Sequence, residues 1–302
     1  MVDHEKNISL CITGATGYVG RHLTAHLAAT GQRALLIGRP GAEQPLASGC
    51  VAASPWQNAG DLAGQLSGLD RPVLLNLAGY FVKEHRADQV EEIVAGNLTY
   101  PTMILEAWVR AGHSRVVNVG TSWEFSDDGE EVPLNFYAAI KQANARLLQW
   151  YATRHPLQAI NLKLNDTYGG DDRRAKLMPM LKRHAATGEL AELGYSEQRI
   201  NLTYIDDVVS GLLHAAGVTE GIAPGQTRTA FLLGSETCTI GELVDFLQGG
   251  IAPGLKVRFH GASPSDQSLR GVWEDAPRLP GWQPMVGLVA GLTEYFGREG
   301  AE

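Results

Sequence analysis

The stretch TGATGYVG, residues 13–20, decides the fold of this chain because of where it lies. The apolar run ISLCI, residues 8–12, comes directly before it and predicts a buried strand, and the pattern YVGRHLTAHLAATG after it predicts a helix. Glycines at such a turn let the backbone approach a pyrophosphate, and free N–H groups at the helix start attract an anion. The stretch therefore predicts a dinucleotide-binding turn. The residues predicted to contact the dinucleotide here are Gly14, Thr16, Gly17, Tyr18, Val19 and Gly20.

The composition narrows the class of protein. The 302 residues are 44% hydrophobic and 19% charged, which is typical of an ordered globular chain. A net charge of −8 disfavours nucleic acid, whose phosphates the surface would repel. Cys11, Cys50 and Cys238 are widely spaced and form no C-x-x-C pair, so they predict neither a disulfide framework nor a metal site. No apolar export signal or membrane-spanning run is visible, and we expect a cytoplasmic protein.

Short apolar runs alternate with helical patterns through the first half of the chain. RALLIG, PVLLNLAG, SRVVNVG and LQAINLKLN predict strands, and a long helix is predicted from about Arg86 to Arg110. This alternation predicts an α/β fold, a Rossmann-type doubly wound parallel sheet with a smaller C-terminal α/β lobe. Residues 1–165 are predicted to form the Rossmann domain, with residues 200–217 returning to it. Residues 166–199 and 218–302 are predicted to form the smaller, substrate-binding lobe.

Beyond residue 165 the predicted elements are shorter. KLMPMLKRHAATG predicts a helix and RINLTY a strand. DDVVSGLLHAA predicts a helix that Asp206 or Asp207 caps at its N-terminus. AFLLG, TIGELVDFLQ, KVRFH and a final helix before Phe296 complete the pattern.

Two residues of the predicted helix FYAAIKQANARLLQWYATR suggest chemistry. Tyr137 and Lys141 are four residues apart, so they share one helix face. An ammonium beside a phenol favours the phenolate, and we expect it to lower the pKa of Tyr137 toward neutrality. The preceding strand VVNVGTSWEF brings hydroxyls to the carboxyl edge of the sheet, where open α/β sheets bind ligands. We predict Thr121 as the catalytic hydroxyl, with Ser122 as the alternative if the register differs by one residue.

Together these motifs resemble the extended short-chain dehydrogenase/reductases, which carry the glycine pattern TGxxGxxG and a Ser/Thr, Tyr and Lys constellation. The resemblance extends to the C-terminal LPGWQPMVGLVAGL. It implies an enzyme with a nicotinamide cofactor and catalytic roles for Thr121, Tyr137 and Lys141. It also implies a homodimer that forms through the helices carrying Asn97 and Tyr137. The cofactor contacts that it implies beyond the glycine turn are Leu77, Ala78, Gly79, Asn97, Tyr137 and Lys141.

The second predicted strand, ALLIGRP, bears on the choice of cofactor. A carboxylate at its end would favour the free 2′-hydroxyl of NADH, whereas an arginine accommodates the 2′-phosphate of NADPH. Gly38 occupies the position of the acid, and Arg39 follows it. The sequence therefore favours NADPH (NADP) over NADH (NAD).

The family resemblance also implies a substrate class. Extended members mostly act on nucleotide-diphosphate sugars, and Asn165 and Arg199 match positions that hold the diphosphate. Arg199 could instead be a surface residue paired with Glu197 or Asp207. The predicted substrate contacts are Thr121, Ser122, Trp123, Asn165, Lys176 and Arg199.

The residues after Thr121 indicate which of the family's reactions to expect. Dehydratases carry Asp-Glu where this chain has Ser122-Trp123, and no cysteine lies near the active strand to serve a 3,5-epimerase/reductase. NFYAAIKQAN, KLNDTYGGDDRRAKLMPML and SEQRINLTYIDDVV resemble nucleotide-sugar 4-ketoreductases of the CDP-abequose and CDP-paratose synthase type. They imply reduction of a CDP- or dTDP-4-keto-6-deoxyhexose. A 4-epimerase with retained NAD and a nucleotide-binding regulator without catalysis remain alternatives.

The cofactor prediction can be tested by replacing Arg39 with aspartate. We expect Arg39→Asp to shift the ratio of kcat/KM for NADPH and NADH toward NADH, because a carboxylate repels a 2′-phosphate and binds a free ribose hydroxyl. An unchanged ratio would show that Arg39 does not contact the ribose.

Overall fold

The computed structural model describes residues 8–41, 49–261 and 271–297 of the chain. Its elements alternate between strand and helix as the sequence predicts. The strands are β1 (Leu10–Thr13), β2 (Ala34–Ile37), β3 (Val51–Ala52), β4 (Val73–Asn76), β5 (Arg115–Thr121), β6 (Gln158–Leu164), β7 (Asp166–Tyr168), β8 (Leu190–Leu193), β9 (Arg199–Tyr204), β10 (Gln226–Leu232), β11 (Thr237–Thr239) and β12 (Lys256–Phe259). The helices are α1 (Tyr18–Ala29), α2 (Ala59–Leu66), α3 (Val90–Val94), α4 (Tyr100–Arg110), α5 (Phe136–Arg154), α6 (Leu177–Thr187), α7 (Ile205–Val218), α8 (Ile240–Phe246) and α9 (Leu288–Gly297).

A seven-stranded sheet forms the centre of the molecule. Its strands lie in the order β3-β2-β1-β4-β5-β6-β10, and every neighbouring pair is parallel. β1, β2 and β4 are buried along their whole length because helices cover both faces of the sheet. The order reverses at β1, and at such a switch point the carboxyl ends of the strands open a crevice for a ligand. The predicted Rossmann-type fold is confirmed.

The smaller elements come from two parts of the chain, one between β6 and β10 and one after β10. β7, β9 and β11 form a three-stranded sheet, and β8 pairs with β12 in a two-stranded one. The predicted domain boundaries differ from this arrangement in two places. β10 lies in the large sheet, although residues 218–302 were assigned to the smaller lobe, because its apolar residues pair in parallel with β6. β9 pairs with small-lobe strands, so only α7 of residues 200–217 returns to the large sheet, where it packs against α1, β4 and β5.

The prediction that Asp206 or Asp207 caps α7 is wrong. The helix begins at Ile205, directly after β9, so both aspartates lie in its first turn. Asp207 is buried, and its carboxylate accepts hydrogen bonds from the backbone N–H groups of Met285 (2.8 Å) and Val286 (3.0 Å). The carboxylate thus fixes the segment that leads into α9 instead of capping its own helix.

The predicted long helix from Arg86 to Arg110 is present, with an interruption. Its regular parts, α3 and α4, are joined by a π-helical turn over Ala95–Thr99. π-helical turns inside α-helices occur frequently at functional sites. Asn97 lies in this turn and is fully buried.

A row of polar side chains crosses the sheet beneath α5, and we call it the asparagine row. Its members are Thr13, Asn76, Asn118 and Asn161, which are aligned on β1, β4, β5 and β6, together with Asn144 of α5. The Thr13 hydroxyl donates to Asn76 (2.8 Å), and the Asn76 amide donates to Asn118 (2.9 Å). The Asn118 amide donates to Asn144 (2.9 Å) and to Asn161 (3.1 Å). The row links the end of β1 to α5.

All five members of the asparagine row are buried. A buried amide costs little when it is hydrogen-bonded and much more when a partner is removed. The row therefore specifies the relative positions of β1, β4, β5, β6 and α5 more narrowly than apolar packing does.

No helix within residues 8–41, 49–261 and 271–297 is both long enough and apolar enough to cross a membrane.

The asparagine row predicts a large stability effect at its centre. Asn118→Ala leaves one amide and two carbonyl groups of the row without their partner, and we expect it to lower the free energy of unfolding by about 2–4 kcal/mol. Denaturant unfolding measures this loss.

Gln226→Ala is the matched control, because Gln226 is an exposed amide at the start of β10 in the same sheet. We expect that change to stay within about 0.5 kcal/mol of the parent protein. A similar loss for both variants would contradict a specific role for the row.

Candidate active site

The glycine turn after β1 leaves no room for side chains. Gly14 has a φ of +69°, and a Cβ there would lie 2.8 Å from the backbone nitrogen of Ala78. A Cβ on Gly20 would lie 2.6 Å from the Cα of Ala15. Ala78 is held in turn, because its N–H donates to the Thr13 hydroxyl (3.2 Å). The glycines therefore bring the turn, the start of α1 and the segment after β4 into direct contact.

The start of α1 fits the phosphates of a dinucleotide. The helix has Gly17 as its N-cap and no side-chain cap, so its first N–H groups have no side-chain acceptor and can bind an anion. Thr16 and Gly17 are exposed, and Val19 is half-buried. Tyr18 is buried and its hydroxyl donates to the carbonyl of Gly169 (2.8 Å), which is a structural contact. Gly14, Thr16, Gly17, Val19 and Gly20 are the residues that would hold a pyrophosphate here.

Arg39 lies where the sequence predicts it. It is exposed and follows the carboxyl end of β2. The carbonyl of the preceding Gly38 accepts hydrogen bonds from the indole of Trp56 (3.1 Å) and the hydroxyl of Tyr100 (3.1 Å). These two anchors fix the strand end while they leave the Arg39 side chain free to meet a ligand.

The segment Leu77-Ala78-Gly79 follows β4 at the same edge. Asn97 supports it, because its amide oxygen accepts from the Tyr80 N–H (3.1 Å) and its nitrogen donates to the Tyr80 carbonyl (2.9 Å). A Cβ on Gly79 would lie 3.0 Å from the Asn97 amide oxygen and 3.9 Å from the Lys141 ammonium. Asn97, Gly79 and Lys141 are thus brought together, with Asn97 acting on the backbone.

Thr121 ends β5 and its hydroxyl is oriented by the backbone. Its oxygen accepts a hydrogen bond from the Trp123 N–H (3.3 Å) at the start of a 3₁₀ turn. Because the oxygen acts as an acceptor toward the chain, the hydroxyl proton is available to donate to a ligand. Ser122 lies one residue further and lines the large cavity described below.

Tyr137 and Lys141 lie in the first turns of α5, as predicted. The Tyr137 ring packs edge-on against Phe81, with 5.2 Å between the ring centroids. The expectation that its pKa is lowered is wrong for this structure. Burial raises the pKa of Tyr137, the Glu124 carboxylate raises it further, and Arg174 opposes them. Lys141 is buried, and burial lowers its pKa to about 8.

Two charged residues at this site were missed by the sequence analysis. Glu124 and Lys163 are buried, form an ion pair and lie next to Thr121. Two sequence signals could have found them. Glu124 stands three residues after Thr121, which is the spacing of a capping box, and Lys163 is a charge inside the apolar strand INLKL.

A cavity of about 780 Å³ opens beside these residues, between the large sheet and the smaller lobe. Ser122 and Trp123 form part of its wall, and Asn165, Lys176 and Arg199 line it as predicted. Thr121 and Tyr137 border this region without being part of the wall. The cations that line the cavity are Lys83, Arg173, Arg174, Lys176, Arg183 and Arg199, against the anions Asp166, Asp172 and Glu192.

The predicted substrate contacts have partners within the protein. The Lys176 ammonium lies 3.6 Å from the Asp166 carboxylate and 4.4 Å from the ring centroid of Phe81. The Asn165 amide donates to the Leu232 carbonyl (3.2 Å). Arg199 pairs with Glu274 (2.6 Å), not with Glu197 or Asp207, and about half of its side chain is exposed.

Arg174 was not singled out by the sequence analysis, yet it connects both parts of the site. Its guanidinium lies 3.7 Å above the ring centroid of Tyr18 and forms a bidentate ion pair with Asp172. It also donates to the Thr167 carbonyl (2.7 Å). The loop after β7 is therefore fastened to the glycine turn.

Among the described residues, no three His, Cys, Asp or Glu side chains are grouped as metal ligands would be.

The fold and the glycine turn define a Rossmann-type protein with a site at the carboxyl edge of its sheet. The model of the NAD dependent epimerase/dehydratase family matches residues 10–228. The chain belongs to this family, which confirms the family resemblance seen in the sequence.

Individual relatives extend the comparison. The chain is 29% identical to a CDP-abequose synthase of Yersinia pseudotuberculosis over 78% of this chain and 84% of that protein. It is similar in structure to MoeE5 in complex with UDP-glucose and NAD, with a TM-score of 0.77, 22% identity and coverage of 96% and 97%. The UDP-glucuronic acid 4-epimerase of Bacillus cereus in complex with NAD gives a TM-score of 0.77, 20% identity and coverage of 95% and 97%. The two structures share the fold of this chain.

The packing of the glycine turn predicts the effect of a single methyl group. We expect Gly20→Ala to lower the affinity for NAD(P) at least tenfold, because the added Cβ would displace the start of α1 from the turn. Titration of the protein with NADPH, followed by fluorescence, measures the affinity.

Gly64→Ala is the control, because a Cβ at this exposed position of α2 meets nothing within 4 Å. That change should leave the affinity for NADPH unchanged and raise the free energy of unfolding by about 0.5–1 kcal/mol. Equal NADPH affinity of Gly20→Ala and the parent protein would rule out this turn as the cofactor site.

Proposed function

We propose that this protein reduces the C4 ketone of a nucleotide-diphospho-4-keto-6-deoxyhexose with NADPH. The CDP-abequose synthase relative supports a nucleotide sugar, with CDP as the first nucleotide to test and dTDP as the second. The excess of cations in the large cavity supports a ligand that carries a diphosphate. The reaction belongs to deoxysugar biosynthesis.

The observation that carries the proposal is the cation-rich cavity that lies beside Thr121 at the end of β5 and Tyr137 and Lys141 at the start of α5. Burial and the Glu124 carboxylate raise the pKa of Tyr137, which favours the protonated phenol. A protonated phenol is an acid, as the reduction of a ketone requires.

The residues around Tyr137 complete a site for ketone reduction. The Thr121 hydroxyl would donate a hydrogen bond to the carbonyl oxygen and keep its proton. Tyr137 would transfer its proton to that oxygen as C4 is reduced, which leaves an alcohol. Lys141 is buried beside Gly79 and would hold the cofactor ribose and return a proton toward Tyr137. When bound, the nicotinamide supplies the hydride.

The wall of the cavity disfavours dehydration. Ser122 and Trp123 lie where dehydratases carry an acid pair. Glu124, the next acid along the chain, is buried and engaged by Lys163 and the Thr121 N–H, so it does not line the cavity. No acid of the 3₁₀ turn is therefore placed to remove or add a proton on the sugar ring.

Two features support NADPH. The side chain of Arg39 is exposed beside the end of β2, and Gly38 offers no carboxylate to a ribose hydroxyl. A 2′-phosphate at this point would meet a positive charge.

We also propose a homodimer formed through α4 and α5. About half of the Trp150 side chain is exposed on α5, which is consistent with a surface that a second copy covers.

The first experiment tests reduction directly. Purified protein is incubated with NADPH, and separately NADH, against CDP- and dTDP-4-keto-6-deoxyglucose, and the absorbance of the reduced nicotinamide is followed. We expect loss of NADPH absorbance with one of the two sugars. Tightly bound NAD with interconversion of sugar epimers would favour the epimerase, and binding without turnover would favour a regulator.

The role of Tyr137 has its own test. We expect Tyr137→Phe to lower kcat about 10²–10⁴-fold while the affinity for NADPH stays within about twofold, because only the proton donor is lost. Tyr151→Phe on the same helix is the control, since the Tyr151 hydroxyl contacts Glu106 away from the site. Substantial residual turnover in Tyr137→Phe would show that another group donates the proton.

A further inference from the structure

Glu124 and Lys163 form a buried ion pair beside the catalytic hydroxyl, and the mechanism above assigns no role to Lys163 or to the pair as a unit. Glu124 is 1% exposed and Lys163 is 2% exposed, and the carboxylate contacts the ammonium directly. Taking two charges out of water is unfavourable, and removing only one partner leaves the other uncompensated. A pair at this location therefore needs a reason beyond stability.

The second carboxylate oxygen of Glu124 has a role that could be that reason. It accepts the Thr121 N–H (2.9 Å), while the Thr121 hydroxyl oxygen accepts the backbone N–H of Trp123 (3.3 Å). The two contacts form the reciprocal arrangement of a capping box at the start of the 3₁₀ turn. The position of the Thr121 hydroxyl thus depends on where the Glu124 carboxylate is held.

The backbone leaves space for the pair. Gly120 lies opposite Lys163 in the register of β5 and β6. A Cβ on Gly120 would lie 2.7 Å from the Lys163 ammonium and closer still to the Glu124 carboxylate. A larger residue at position 120 would push the pair away from Thr121 without removing either charge.

The pair also faces the titratable residues of α5. The Glu124 carboxylate raises the pKa of Lys141, and the Lys163 ammonium lowers it. Glu124 acts on Tyr137 in the same direction, and Arg174 acts there in the opposite one. Glu124 and Lys163 shift the pKa of Lys141 in opposite directions. A measured change in this pKa therefore shows which member of the ion pair was removed.

We propose that Glu124 and Lys163 are positioning residues of the active site. Lys163 holds the Glu124 carboxylate, the carboxylate holds the backbone of Thr121, and the Thr121 hydroxyl is thereby oriented toward the oxygen of the substrate carbonyl. The reaction served is the one under the proposed function, on which this inference rests.

The first measurement needs no substrate. The ammonium of Lys141 is titrated by NMR with isotope-labelled lysine, and its signal is assigned by its loss in Lys141→Arg. The pKa of Lys141, about 8 in the parent protein, should fall in Glu124→Gln and rise in Lys163→Met. In the double variant it should return close to the value of the parent. If the pKa of Lys141 is the same in the parent, the two single variants and the double variant, the ion pair does not act on the site and the proposal is overturned.

The second measurement is turnover of the folded variants. Glu124→Gln and Lys163→Met should each lower kcat at least tenfold, with the affinity for NADPH within about twofold of the parent. The double variant should recover most of the unfolding temperature lost by the single ones, because no unpaired charge is buried, yet its kcat should stay low. Parent-like kcat in the folded double variant would overturn the proposal.

Gly120→Ala keeps both charges but displaces the ion pair, so it tests the position of the pair alone. It should lower kcat at least tenfold, as the two single variants do. Asp88→Asn with Arg86→Met is the matched control, since this ion pair is exposed on the surface and lies outside α4 and α5. The control should change neither kcat nor the pKa of Lys141.

The two proposals can fail separately. If the parent protein reduces none of the 4-keto sugars, the proposed reaction fails, while the Lys141 titration still decides whether the pair acts on the site. If the parent protein is active and all variants retain its kcat, only the positioning role fails.

Discussion

The asparagine row beneath α5 is the constraint on which the site depends. Apolar packing sets how closely a helix approaches a sheet, but it tolerates small shifts along the helix axis. The hydrogen bond between Asn118 and Asn144 removes that freedom, and Asn76 and Thr13 extend the constraint to the glycine turn. The groups that would hold the cofactor and those that would transfer the proton are therefore fixed by one network.

A second set of polar residues, Glu124 and Lys163, lies next to the asparagine row on the side of the carboxyl edge of the sheet. Lys163 lies two residues after Asn161 on β6, and Gly120 two residues after Asn118 on β5, so the row and the second set share a face. The asparagine row consists of neutral side chains, whereas the second set carries the charges of Glu124 and Lys163. Lys141 lies against this second set, and burial together with Lys163 accounts for a pKa well below that of an exposed lysine.

Much of the fold could be predicted because its signals are local. Strands β1, β2, β4, β5 and β6 are mostly apolar runs, and α1, α5 and α6 show helical periodicity. The prediction was wrong where tertiary contacts compete with a local signal. Asp207 has the sequence context of a cap, but two backbone N–H groups from residues 285 and 286 bind its carboxylate. The strand β10 was assigned to the wrong lobe because its partner β6 is more than 60 residues away.

The sequence alone determined the glycine turn after β1, the order of strands and helices along the chain and the spacing of Thr121, Tyr137 and Lys141, because each depends on residues close together in the chain. Only the tertiary structure decided the direction in which the pKa of Tyr137 shifts. The sequence placed an ammonium one helical turn away, whereas the folded protein packs the Tyr137 ring against Phe81 and brings the Glu124 carboxylate near it. Burial and charges from distant segments set a pKa, and neither can be derived from the spacing of two residues on one helix.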